Sequence, residues 1–167
     1  VQPMVDVLRE PDPTLRHAAI RILGTQPTRE SVRMLRVLLK DPDPDVRSEA
    51  SATLFRFANQ LNRTLAKALA RVRDEPESAD HFIELAARYS HYRDCDLLDL
   101  ASMRLYIERA IRALERAAAL APERPDIWLT LARVRYDNGE MAAATAALNR
   151  AVALAPDDRA VTLFQME

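Results

Sequence analysis

The segment LREPDPTLRHAAIRIL, residues 8–23, returns 31 residues later as LKDPDPDVRSEASATL, residues 39–54. Both copies contain an Asp-Pro turn, an arginine after it and an alanine at the same place in the stretch that follows. A return of turn and helix residues at a fixed period is typical of stacked helical units rather than of one globular core. The first half of the chain is therefore predicted to be an array of helical repeats.

Each copy also carries signals for where a helix begins and ends. The prolines end the preceding helix, because proline lacks an N–H and restricts the residue before it. The side chains of Asp12 and Thr14, and then of Asp43 and Asp45, are predicted to cap the next helix. Apolar positions follow at helical spacing: Leu15, Ala18, Ala19, Ile22 and Leu23 in the first copy, then Val46, Ala50, Thr53 and Leu54 in the second.

This turn, D-P-[TD]-[VL]-R before an alanine-rich helix, resembles the HEAT repeat family over about residues 1–61. Two arginines of the pattern, Arg16 and Arg47, are predicted to pair with turn aspartates such as Asp12 and Asp43 rather than to bind a partner.

The second half of the chain has a different period. One set of positions matches the tetratricopeptide pattern in order and spacing over residues 125–158: Trp128, Leu131, Ala132, Gly139, Ala144, Leu148, Ala151 and Pro156. Residues of the same kinds stand 34 positions earlier, at Ala110, Leu114, Ala117, Leu120 and Pro122. The chain therefore resembles the tetratricopeptide repeat family in two consecutive units, with Trp128 in the core.

The earlier of these units is longer than the tetratricopeptide pattern predicts. It spans 40 residues from Phe82 to Pro122, against 28 from Trp128 to Pro156. The extra residues lie around YRDCDLLDLASMR, residues 92–104. They predict either a longer packed hairpin or a protrusion that binds a partner. In the packed alternative the inward residues are Leu97, Leu98 and Leu100.

Composition supports an all-α chain, because alternating strand patterns are not evident and only two glycines are present. The predicted fold is a right-handed helical-repeat solenoid with HEAT-like repeats in residues 1–75 and tetratricopeptide repeats in residues 76–167. The last residues are predicted to cap the array through Val161 and Phe164.

The 24 basic and 25 acidic residues form no basic stripe, which argues against nucleic acid as a partner. No apolar run approaches the roughly 18 residues of a membrane span, and the one cysteine, Cys95, is compatible with the cytoplasm.

Catalytic and metal-binding patterns are weak. His91 and Cys95 are four residues apart, but zinc needs three or four ligands and His81 falls on another helix face. Cys95 has no identifiable base, so a nucleophilic role is not expected. The two glycines, Gly24 and Gly139, are too few for a phosphate loop. We therefore predict no catalytic residue, no cofactor and no metal, and a chain that is not an enzyme.

Surface residues remain as candidates for function. In tetratricopeptide arrays the first helix of each unit lines a groove, so the resemblance implies outward positions on two helices. On the earlier helix these include Asp80, Ile83, Ala87 and Ser90. The partner-binding candidates are His91, Tyr92, Arg93, Asp126, Leu129, Arg133, Tyr136 and Asp137. Arginine and tyrosine are favoured interface anchors. The alternative is that Ile83 and Leu129 pack against the adjacent repeat while the polar residues are only solvated.

The order of the repeats suggests a narrower resemblance. HFIELAARYSHY, residues 81–92, and LLDLASMRLYIERAIRALERAAALAPERPDIWLTLARVRYDNGE, residues 97–140, follow the HEAT-like part. This arrangement resembles the PelE family, the repeat-bearing scaffold subunits of bacterial Pel exopolysaccharide synthesis. The resemblance implies a cytoplasmic region tethered to the inner membrane by an upstream segment, with a glycosyltransferase and a cyclic-di-GMP receptor subunit as protein partners. The alternatives are a phycobilin-lyase-like enzyme, since those lyases also contain HEAT-like repeats, a generic repeat adaptor, and a self-assembling array.

Overall fold

The computed structural model describes residues 12–156, and these residues form seven α-helices and no strand. The predicted all-α class is confirmed. The predicted cap residues Val161 and Phe164 lie outside the described residues. The helices are α1 (Pro13–Leu23), α2 (Arg29–Leu38), α3 (Pro44–Asp74), α4 (Ala79–Asp94), α5 (Leu100–Leu120), α6 (Pro125–Asp137) and α7 (Met141–Leu154).

The helices form two compact units. The N-terminal unit contains the described residues up to Thr64 together with Tyr92–Asp99, and the C-terminal unit contains Leu65–His91 and the described residues from Leu100. The division lies within α3. The domain boundary predicted from the sequence, after residue 75, falls in the turn between α3 and α4. The boundary between the compact units lies earlier, within α3, so the two divisions of the chain differ.

Aspartate caps begin α1 and α3. Asp12 Oδ1 accepts a hydrogen bond of 2.8 Å from Thr14 N, and Asp43 Oδ1 accepts one of 2.8 Å from Asp45 N. Both predicted aspartate caps are therefore confirmed, whereas Thr14 and Asp45 lie inside the first turn and donate the N–H groups that are capped. Helix α2 begins with a capping box, in which Thr28 and Ser31 exchange side-chain and backbone hydrogen bonds.

The core of the N-terminal unit lies among α1, α2 and the first part of α3. Its most deeply buried large side chains are Ile20, Val32, Leu35, Leu38, Val46 and Phe57. Two of the apolar residues that marked α1 in the sequence, Leu15 and Ile22, are 44% and 60% exposed. Apolar spacing therefore identified the helix, but the packing of neighbouring helices decides which apolar residues are covered.

A buried ion pair joins α1 to the second Asp-Pro turn. Arg16 Nε lies 2.9 Å from Asp41 Oδ2, with side-chain exposures of only 7% and 5%. Arg47 Nη1 donates to the backbone oxygen of Asp41 over 2.7 Å. Arg16 therefore pairs with a turn aspartate, although with Asp41 and not with the two named examples, whereas Arg47 contacts the backbone of the same turn. The hydroxyl of Thr14, followed by its backbone N–H, lowers the pKa of Asp12, and the backbone N–H of Asp45 lowers the pKa of Asp43. The charge of Arg16 lowers both pKa values further.

The C-terminal unit has an alanine-rich core. Leu114, Leu131 and Ala132 are almost completely buried, and Trp128 packs against the same cluster. The indole Nε1 of Trp128 donates to Pro122 O over 2.9 Å, which satisfies its polar atom. The prediction that Trp128 belongs to the core is confirmed. Small residues at Ala86, Ala110, Ala113, Ala117 and Ala118 line this core, and their size permits close helix approach.

Candidate partner-binding face

Arg124 holds the beginnings of α4 and α6 side by side. It precedes α6, and its guanidinium contacts Asp80 on α4 and Asp126 on α6, with Nη2 2.7 Å from Asp126 Oδ2. The hydrogen bond from Arg124 lowers the pKa of Asp126, and the two carboxylates raise the pKa of Arg124. The first helices of the two tetratricopeptide units are thus neighbours within the C-terminal unit. Arg124 was not among the residues predicted from the sequence, although it lies only two residues before Asp126.

Helix α6 separates a buried side from an exposed one. Ile127, Leu131, Ala132 and Val134 are buried. The partner-binding candidates on this helix lie three or four residues from one another, except that Tyr136 and Asp137 are adjacent, and this spacing places them on one face. Arg133, Tyr136 and Asp137 are exposed, Leu129 is half-buried, and Asp126 is exposed but occupied by Arg124. Tyr136 is 49% exposed.

Helix α4 presents a smaller face. Asp80, Ala87 and His91 are exposed, and Ser90 is half-buried. Ile83 packs against the buried cluster that contains Ala117, Ala118 and Ile127, as the packing alternative predicted. The accessible part of α4 is therefore small and mostly polar.

The remaining candidates belong to the other unit. Tyr92 is only 6% exposed, and Arg93 Nη2 lies 2.8 Å from Asp94. Both residues belong to the N-terminal unit, whereas His91 belongs to the C-terminal unit. Neither prediction for the extra segment anticipated that residues 92–99 join the N-terminal unit. Leu100, which was predicted to lie inside the lengthened hairpin, is 79% exposed.

Cys95 is enclosed. It is 1% exposed, and its Sγ donates a hydrogen bond of 2.8 Å to Pro27 O. Burial, with a smaller contribution from the charge of Asp94, raises the pKa of the thiol to about 11. A protonated and enclosed thiol is a poor nucleophile and metal ligand. Within residues 12–156 no group of three or more His, Cys, Asp or Glu side chains is placed to hold a metal ion.

This fold and face define a helical-repeat protein of a kind that mediates protein–protein interactions. The HEAT repeats family matches residues 1–93, which is more than half of the chain, and the chain belongs to that family. A tetratricopeptide repeat family matches residues 107–165. No protein with a curated description matches the sequence.

Solved structures show similar folds at low identity. TTC0263, a thermophilic tetratricopeptide-repeat protein of Thermus thermophilus, is 22% identical over 75% of this chain, with a TM-score of 0.53. The match covers 65% of that protein's chain. A MamA structure is 22% identical over 75% of this chain and 67% of its own, with a TM-score of 0.48. MamA from Desulfovibrio magneticus RS-1 is 19% identical over 89% of this chain and 78% of its own, with a TM-score of 0.49. Across the part of the chain that the structure describes, no helix is long and apolar enough to cross a membrane.

Proposed function

We propose that this chain is a non-catalytic scaffold that binds a partner protein through the exposed face of α4 and α6. The observation that supports this most directly is the contact of Arg124 with both Asp80 and Asp126, since it places the two first helices next to each other. The face then combines an exposed arginine and an exposed tyrosine, Arg133 and Tyr136, with a half-buried leucine, Leu129. Such a combination of aromatic, guanidinium and aliphatic groups is typical of interface centres.

The proposed system is the bacterial Pel exopolysaccharide synthase at the cytoplasmic side of the inner membrane. Its support is the order of repeats in the sequence and the resemblance to the PelE family. In this role the scaffold brings a glycosyltransferase and a cyclic-di-GMP receptor subunit together. It contributes effective concentration and orientation, not bond chemistry. His91 extends the face at the end of α4, while Tyr92 and Arg93 stay predictions from the sequence.

The test is co-purification of the tagged chain with the co-expressed glycosyltransferase and receptor subunit. The variant is Arg133→Glu/Tyr136→Ala, and the matched control is Met141→Ala/Arg150→Glu, which changes exposed residues of α7. Removal of interface anchors typically costs about 2 kcal/mol or more, so we expect binding to weaken roughly thirtyfold in the variant and to stay unchanged in the control.

Two results contradict different parts of the proposal. Capture of a partner with equal affinity by wild type and both variants shows that the α4–α6 face is not the interface. Capture of neither subunit by the wild-type chain removes the Pel assignment and leaves a generic repeat adaptor.

A further inference from the structure

Helix α3 is one helix where the repeat period predicts two. Residues 13–23 and 29–38 form α1 and α2, and 31 residues later they correspond to 44–54 and 60–69. The first copy separates its helices with GTQPT, residues 24–28. The corresponding residues 55–59 are FRFAN, which contain neither glycine nor proline. Because no helix breaker is present, the helix continues without interruption to Asp74.

The second HEAT-like copy therefore lacks a second helix that folds back. Three buried residues of α2 form its contact with the core: Val32, Leu35 and Leu38. The residues 31 positions later are Arg63, Ala66 and Leu69, and all three are exposed. In a repeat array each unit covers the apolar surface of its neighbour, so the missing helix leaves α2 and the first part of α3 without that cover.

Residues 92–99, here called the strap, lie against this surface. The thiol of Cys95 donates to Pro27 O in the turn before α2. The carboxylate of Asp96 pairs with Arg36 on α2, with 3.2 Å between Oδ2 and Nη1. Leu97 packs against the core cluster of the N-terminal unit. Asp96 has a φ of 57°, a left-handed conformation that aspartate adopts more readily than most residues, so the strap turns sharply at this point.

We propose that the strap takes the place of the missing second helix. Eight residues of the long tetratricopeptide hairpin, 92–99, then have a role in the HEAT-like unit, because they supply the cover that α3, by continuing without a break, does not. The strap is thus an internal ligand of the surface formed by α2 and the first part of α3. Three contacts support this role. The strap contacts Pro27 before α2 and Arg36 near the end of α2, and Leu97 packs against the apolar core cluster.

Alkylation of Cys95 by iodoacetamide in the native full-length chain tests the docking of the strap. The variant is Leu97→Asp, with Leu97→Ala as a milder change, and the matched control is Leu100→Asp at an exposed leucine three residues away. A charge in place of a packed leucine favours the undocked strap, so we expect alkylation to become at least about tenfold faster in Leu97→Asp. Leu97→Ala should give a smaller increase in the same direction, and Leu100→Asp should give none.

Hydrogen exchange shows whether the strap acts as cover for α2. In Leu97→Asp, amides of α2 should lose protection while amides of α6 keep theirs, because α6 belongs to the other compact unit. Replacing residues 93–98 by a Gly/Ser linker of equal length should produce the same loss in α2. The proposal is overturned if Cys95 of the wild type reacts as fast as in the urea-unfolded chain. It is equally overturned if α2 keeps its protection in both Leu97→Asp and the linker variant.

Discussion

Replacing Asp41 by asparagine tests the energetic role of the buried ion pair between α1 and the second Asp-Pro turn. Asp41→Asn keeps an oxygen for the 2.9 Å hydrogen bond from Asp43 N but removes the charge that faces Arg16. At 2.9 Å and an effective dielectric of about 20 the attraction between the charges is roughly 6 kcal/mol before desolvation is subtracted. Since both side chains are buried, removal of the Asp41 charge takes away the close partner that offsets the desolvation of Arg16, and we expect a loss of about 3 kcal/mol in the free energy of unfolding.

Urea denaturation followed by circular dichroism measures this loss. Urea is preferred to guanidinium chloride because a salt would screen the charges. Hydrogen exchange in α1 and α2 then shows whether the destabilisation lies in the N-terminal unit.

Two further variants make the result decisive. Asp74→Asn breaks an exposed pair with Arg73, whose side chains are 65% and 78% exposed, and should cost less than about 0.5 kcal/mol. The double variant Arg16→Met/Asp41→Asn removes both charges and should be more stable than Asp41→Asn alone. A loss below about 1 kcal/mol in Asp41→Asn, or equal stability of the single and double variants, refutes the reasoning.

The other predictions concern a turn, the second core and the thiol. Gly139 has a φ of 81° and open space where a methyl side chain would lie, so backbone strain alone opposes an alanine there. In thermal melts, Gly139→Ala should lower the free energy of unfolding by roughly 1–2 kcal/mol and Gly139→Asn by less. Equal melting temperatures of the two variants would argue against strain. Leu114→Ala empties a fully buried position and should cost about 2–5 kcal/mol, seen in urea titrations by the fluorescence of Trp128 in the same cluster; an unchanged midpoint would contradict this. The folded pKa of Cys95, about 11, lies above the ordinary 9.0, so the unfolded chain loses this proton first and stability should fall as pH rises from about 9 to 11. Cys95→Ser should remove that part of the decline, and identical pH profiles for the two chains would show that the thiol is not responsible.

The positions of the helices could be predicted from the sequence because their signals come from neighbouring residues. Aspartate before a helix caps N–H groups within three residues, and proline acts on itself and the residue before it, so both signals predict helix ends without knowledge of the fold. The 31-residue return and the tetratricopeptide pattern extended these signals into repeats. The uninterrupted α3 also had a local cause, the absence of glycine and proline in residues 55–59, although the sequence analysis did not use it.

The candidate face was predicted only in part. Spacing of three and four residues was enough to group the residues of α6, because one helix determines their common side. The contact of Arg124 with Asp80 joins residues 44 positions apart, and no local pattern indicated it. Tyr92, which was also selected for binding, is only 6% exposed and belongs to the N-terminal unit, and its binding role stays a prediction.

The sequence by itself thus determined the helical class, the two kinds of repeat and most helix beginnings, because these depend on residues a few positions apart. Tertiary structure alone decided that Arg16 pairs with Asp41, that Leu15 and Ile22 stay exposed, and that Cys95 reaches Pro27. Each of these outcomes depends on which surfaces meet after the helices have formed. Burial and charge pairing depend on contacts between helices, so they cannot be predicted from helical periodicity along the chain.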